Sequence, residues 1–118
     1  MKAFINFSIL IILSYNLLAG CNKNMLPNKL PNCIENKITI FKSEPKGNPP
    51  KSITEYRYKG HKVYYIPAQC CDQYSEVFDE NCNLLGHPDG GITGKGDGKL
   101  PDFSIEAKNE KLIWKDDR

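Results

Sequence analysis

Four cysteines carry most of the available chemistry in this chain: Cys33, Cys70, Cys71 and Cys82. Thiols can cross-link, hold a metal or act as nucleophiles. An even number of cysteines in a small exported domain suggests disulfides. Four cysteines allow three pairings. Adjacent pairing of Cys70 with Cys71 needs a strained ring, so the expected frameworks link Cys33 to one of that pair and Cys82 to the other or to nothing. A bridge closing the loop from 33 to 70 would contribute about 3 to 4 kcal/mol by loop-closure entropy. Zinc would need Cys70, Cys71, Cys82 and His87 around one tetrahedron. Adjacent cysteines rarely point at one metal, and the C-x-x-C knuckle is missing from the sequence. A thiol enzyme would use Cys70 or Cys71 with His61 or His87. The order of residues supports no such arrangement, so no catalytic residue and no metal ligand is assigned.

The segment "HPDGGITGKGDGKLPDF", residues 87 to 103, is the other unusual stretch. Its glycines rule out a regular helix or strand. Asp89, Asp97 and Asp102 could offer hard oxygen ligands to a cation such as Ca2+, helped by backbone carbonyls that the glycines expose. An inhibitor or ligand-binding protein could also work through this loop. The simpler expectation is an ordered, turn-rich surface loop with its glycines at positive φ and no cofactor. Gly94-Lys95 is not a P-loop, because Asp89 occupies the position of the first glycine and Gly96 follows the lysine. Asp79, Asn81 and Asn83 have the spacing of a calcium loop. Leu84 and Gly90 then stand where an EF-hand needs glycine and an acid.

The N-terminus bears on location. Lys2 is the only charge in residues 1 to 20, and an apolar run follows it, as in a secretory signal. Asn6, Ser8, Ser14, Tyr15 and Asn16 interrupt that run, which argues against a spanning helix of about 20 apolar residues. Leu18-Ala19-Gly20-Cys21 resembles the lipobox of bacterial lipoproteins. That resemblance implies a diacylglyceryl group on the Cys21 sulfur and cleavage just before it. Two or three acyl chains, palmitate among them, would anchor the protein stably, whereas one would not. Asn22 after the cysteine, rather than Asp, points to the outer membrane by analogy. Loss of Lys2 from the 16 basic residues leaves 15 against 14 acidic ones, a net charge of about +1. Basic residues are scattered, so no nucleic-acid partner is expected. The membrane lipid around Cys21 is the expected partner, and the sequence identifies no protein partner.

These features imply a signal peptide at 1 to 20, a tether at 21 to 31 and one globular domain at 32 to 118. Asn32 resembles an N-cap, with Glu35 three residues on. Ile34, Ile38 and Phe41 lie on one helical face, so 33 to 43 is expected to be a short amphipathic helix. Tyr56 and Tyr58 alternate with Glu55 and Arg57, a turn falls at 59 to 61, and 62 to 66 is rich in β-branched and aromatic residues: a hairpin. Tyr56, Tyr58, Tyr64 and Tyr65 are expected to pave a sheet face beneath the helix. A second hairpin is expected from Ser75 to Leu85, with its turn at 79 to 82. A final short strand would include Ile105 and Leu112 to Trp114, and Asp116, Asp117 and Arg118 would end the chain in solvent.

Residues 58 to 103 resemble a family of small Bacteroidota lipoproteins with a domain of unknown function. The shared pattern is a helix carrying a cysteine, then Y-x-G-x-x-VYY, CCDQ, a D-x-x-G-N turn, P-x-GG-x-TG-x-GDG and PDF. Cys82 stands where that turn usually has glycine. Gly86 and Leu100 stand where the resemblance implies cysteines, and the loss of both implies that those two pair with each other in the family. The resemblance implies location and fold and supplies no catalytic residues.

The resulting expectation is an α+β domain: one short N-terminal helix packed on a small antiparallel β-meander, with a glycine-rich loop near the C-terminus. Ile34, Ile38 and Phe41 should meet Val63, Tyr65, Val77 and Phe78. Functionally it implies a lipid-anchored cell-envelope lipoprotein that is a non-enzymatic binding or structural module.

Overall fold

Alternation along the tyrosine-rich segment builds the centre of the sheet. Strand β1 (Ser52–Tyr58) turns through Lys59 and Gly60 into β2 (His61–Ile66). Both turn residues have positive φ, 49° and 80°. Two consecutive left-handed residues give the backbone twist that a two-residue hairpin needs. The computed structural model describes residues 28–118; the expected signal peptide, Cys21 and the tether as far as residue 27 lie outside the described residues.

The order of elements is helix α1 (Asn32–Ser43), β1, β2, β3 (Glu76–Asp79), β4 (Leu84–Gly86), a short helix α2 (Phe103–Glu106) and β5 (Lys108–Lys115). The sheet is antiparallel with order β4-β3-β2-β1-β5. The domain is therefore α+β, as expected. The first four strands form the meander. β5 returns to lie beside β1 at the far edge, so the chain between β4 and β5 must cross one face of the sheet.

The crossing covers one face of the sheet and α1 covers the other. Tyr56 pairs with Val63, and Tyr65 with Val77. These side chains share the crossing face, where Tyr58, Val63, Val77, Leu100 and Phe103 are buried together. The Phe103 ring lies 5.3 Å from Tyr58, 5.7 Å from Tyr56 and 5.8 Å from Tyr65. Their neighbours of opposite parity, Tyr64, Ile66 and Phe78, turn to the other face with Ile53. There they meet Ile34, Ile38 and Phe41 of α1 and Trp114 of β5. Ile34, Ile53, Val63 and Val77 are fully shielded from solvent. Such burial is worth about 1.5 to 3 kcal/mol per side chain.

Several expectations are corrected. Phe78 does meet the helix, but Val63, Tyr65 and Val77 lie on the opposite face. A strand places neighbours on opposite sides, so Val77 and Phe78 could never share one partner. Of the tyrosines, only Tyr64 lies under α1. Pro31, not Asn32, occupies the N-cap of α1, and no side chain caps it. The Pro31 carbonyl instead accepts from the amides of Ile34 and Glu35, at 2.9 and 3.1 Å. Ile105 belongs to α2, not to a strand, and is exposed.

The C-terminal residues do not end free in solvent. Asp116 is 2% exposed. It receives the Arg118 guanidinium at 2.7 and 2.9 Å. Arg118 in turn donates to the carbonyls of Phe41, Lys42 and Glu44 at 2.9 to 3.2 Å. It thereby satisfies carbonyls that the end of α1 leaves without partners. The guanidinium hydrogen bonds hold the Asp116 carboxyl down at about 2.

Candidate functional site

The cysteines pair as Cys33–Cys82 and Cys70–Cys71. Neither bridge follows the expected framework, which joined Cys33 to the adjacent pair. The reason is topological. Cys33 opens α1 on the helix face, and Cys82 sits in the β3–β4 turn beside it; the Cys33 amide lies 3.2 Å from the Cys82 sulfur. Cys70 and Cys71 lie on an exposed turn after β2 and close a ring with each other. Cys82 has φ 66°. It thus adopts the left-handed conformation that suits the glycine expected at this turn position.

Three aspartates were candidates for a cation. The structure does not bring them together. Asp89 accepts from the Tyr65 hydroxyl at 2.8 Å and from the Ser75 hydroxyl. Asp97 accepts from the amides of His87 and Lys99, at 3.2 and 3.0 Å. Asp102 accepts from Tyr58 at 2.5 Å and pairs with Lys59 at 2.8 Å. That pairing with Lys59, then Tyr58, lowers the Asp102 pKa below the usual carboxylate range. Among the described residues no group of three or more His, Cys, Asp or Glu side chains could hold a metal.

Each aspartate instead fixes the crossing segment. Buried Ser75 and half-buried Asp89 and Tyr65 form a polar knot beneath residues 87 to 97, and burial pushes the Tyr65 hydroxyl up to about 12. The His87 ring bonds the Ser75 carbonyl at 2.7 Å. Ser, His and Asp meet here without triad geometry: the imidazole engages the main chain rather than Oγ, and Ser75 is 1% exposed. The glycines make the crossing possible. Gly90 has φ 87°, and a Cβ there would come within 2.2 Å of the Gln73 carbonyl oxygen. At Gly96, φ is 71° and a Cβ would meet the His87 carbonyl at 1.9 Å.

An open groove lies at the end of the sheet where the β1–β2 and β3–β4 turns run side by side. Its cavity of about 390 Å³ is lined by residues that include Tyr58, His61, Lys62, Val63, Glu80 and Leu85. Val63 and Leu85 give it an apolar floor. The first turn supplies a basic lip, Lys59, His61 and Lys62, and the second an acidic one, Asp79 and Glu80. Much of this charge is already engaged. Lys59 is paired with Asp102, which raises its pKa. Asp79 accepts from the Asn83 side chain at 3.0 Å and from the amides of Asn81 and Asn83 at 2.8 and 2.9 Å. Those bonds, the Asn83 side chain foremost, hold its carboxyl below the usual range.

The groove was missed in the sequence reading, although its signal was present. In a four-strand meander the first and third turns must fall at the same end of the sheet. Gly86 and Leu100, the positions where the lipoprotein resemblance implies cysteines, are neighbours across the fold. A Cβ on Gly86 would lie 3.3 Å from the Leu100 Cγ.

A family model described as "Domain of unknown function (DUF6970)" matches residues 39–116, and the chain belongs to that family. The matched span contains Cys70, Cys71 and Cys82 and begins after Cys33. No curated protein and no solved structure matches the chain.

Proposed function

We propose that this DUF6970 protein is a lipid-anchored lipoprotein of the cell envelope, processed at Cys21 and seated in the outer membrane by its acyl chains. Its folded domain acts there as a non-enzymatic binding or structural module, with the groove between the two hairpin turns as its binding face. The observation that carries this reading is the oxidised pairing of all four described cysteines. Disulfides form and persist in the envelope of a bacterium and are rare in its cytoplasm. The Leu18-Ala19-Gly20-Cys21 ending and the likeness to small Bacteroidota lipoproteins support the same placement.

A groove of about 390 Å³ falls in the size range of small-ligand sites. The test is a Cys21→Ser variant expressed in the native host with a labelled fatty acid. The wild type should carry label and sediment with membranes, and the variant should lose both. A variant that stays labelled and membrane-bound would overturn the anchoring site.

A further inference from the structure

The two disulfides differ in what they can do for the fold. Cys33–Cys82 spans 49 positions of sequence, and Cys33 packs against the helix-face cluster. Cys70–Cys71 spans one position, and both residues are exposed. A bridge between neighbours closes no chain loop, so it lacks the usual entropic reason for a disulfide. What it does hold is local. Cys71 sits at φ 63°, a region that residues other than glycine seldom occupy. The ring keeps it there within the turn in which the Gln73 amide donates to the Cys70 carbonyl at 3.2 Å.

That turn is the dock for the glycine-rich crossing. The Gln73 carbonyl accepts from the Gly91 amide at 3.2 Å, and Tyr74 bridges to Gly90. The Tyr74 ring packs over His87 at 4.9 Å. The ring is therefore one short turn from the contacts that seat residues 87 to 97.

We propose that the Cys70–Cys71 ring is a thiol–disulfide exchange site for a dithiol reductant, and that its opening unseats the glycine-rich segment. A donor thiolate attacks one ring sulfur, the S–S bond breaks, and the other cysteine leaves as a thiolate that takes up a proton. The donor's second thiolate then attacks the mixed disulfide and releases the remaining cysteine. Two electrons and two protons reach the protein, and the donor leaves as a disulfide. Both residues of the ring are exposed, which admits the donor, because exchange requires access to the bridge. The two thiols stay on neighbouring residues, so closure is intramolecular and readily reversed. Freed from the ring, Cys71 relaxes out of the left-handed region, and Gln73 no longer presents its carbonyl to Gly91. This inference concerns the folded domain and does not depend on the lipid anchor.

The test titrates the folded, oxidised protein with dithiothreitol, traps thiols with iodoacetamide and maps them by peptide mass. Cys70 and Cys71 should become alkylated at reductant concentrations at least tenfold lower than those that open Cys33–Cys82. In that half-reduced form, hydrogen exchange at the Gly90 and Gly91 amides should quicken at least tenfold while α1 stays protected. Simultaneous opening of both bridges, or prior opening of Cys33–Cys82, would overturn the exchange site. Unchanged exchange at Gly90 and Gly91 would overturn the coupling. A Cys70→Ser/Cys71→Ser variant should reproduce the fast exchange. A Cys70→Ser/Cys71→Gly variant should restore most of the protection, since glycine adopts φ 63° without the steric penalty that drives serine out of it.

Discussion

Removing the Cys33–Cys82 bridge should cost this domain a large part of its stability. The bridge spans 49 positions of sequence. By the chain-entropy estimate, closing a loop of about 50 residues removes enough freedom from the unfolded chain to contribute about 4 kcal/mol. Domains are stable by roughly 0.05 to 0.15 kcal/mol per residue, so a chain of about 90 residues has a total of about 5 to 14 kcal/mol. A Cys33→Ala/Cys82→Ala variant, followed by calorimetry, should melt about 15 to 30 °C below the wild type, at about 4 to 8 °C per kcal/mol for a domain of this size. Fully reduced wild type should melt with the variant. A Cys70→Ser/Cys71→Ser variant should stay close to the oxidised wild type, because that ring closes no chain loop. A double variant that melts within about 5 °C of wild type would refute the argument, since the loss would then be no more than about 1 kcal/mol. The unfolded chain would already be held compact by something other than sulfur.

Two further outcomes follow from the crossing segment and the C-terminus. Gly96→Ala should cost about 2 kcal/mol or more, from positive φ together with a close approach to a backbone carbonyl, whereas Gly94→Ala, with open space around it, should cost only about 1 to 2 kcal/mol; urea unfolding midpoints separate them. The Asp116 carboxyl has a folded pKa of about 2, below the unfolded value of 3.8. Its contribution is therefore fully present above pH 3.8 and is lost as pH falls through about 2. The acid limb of a melting-temperature profile should flatten in Asp116→Asn, and an unchanged limb would show that the Arg118 pairing contributes nothing.

The hairpins and α1 were legible because each is written locally: alternation at Tyr56 and Tyr58, the turn at Lys59-Gly60, and the helical spacing of Ile34, Ile38 and Phe41. Faces and pairings were harder, because they depend on parity and topology. Val77 and Phe78 are both apolar, and only the sheet register assigns them to opposite sides. The Cys33–Cys82 bridge required knowing that the β3–β4 turn lies beside the start of α1. Arg118 was read as a solvated end because its partners, the carbonyls that close α1, are backbone atoms more than 70 positions away and leave no trace in side-chain pattern. The aspartates of residues 87 to 103 look like cation ligands in sequence. In the fold, Tyr58, Tyr65, Ser75 and Lys59 reach across to occupy two of them, and the loop's own amides at His87 and Lys99 occupy the third.

The most direct test is the intact mass of the protein extracted from native membranes without reductant. It should correspond to a chain that starts at Cys21, carries a diacylglyceryl group with or without a third acyl chain, and lacks four thiol hydrogens. A mass that still includes Met1, shows no added lipid and retains all its thiol hydrogens would contradict both the anchored placement and the oxidised fold.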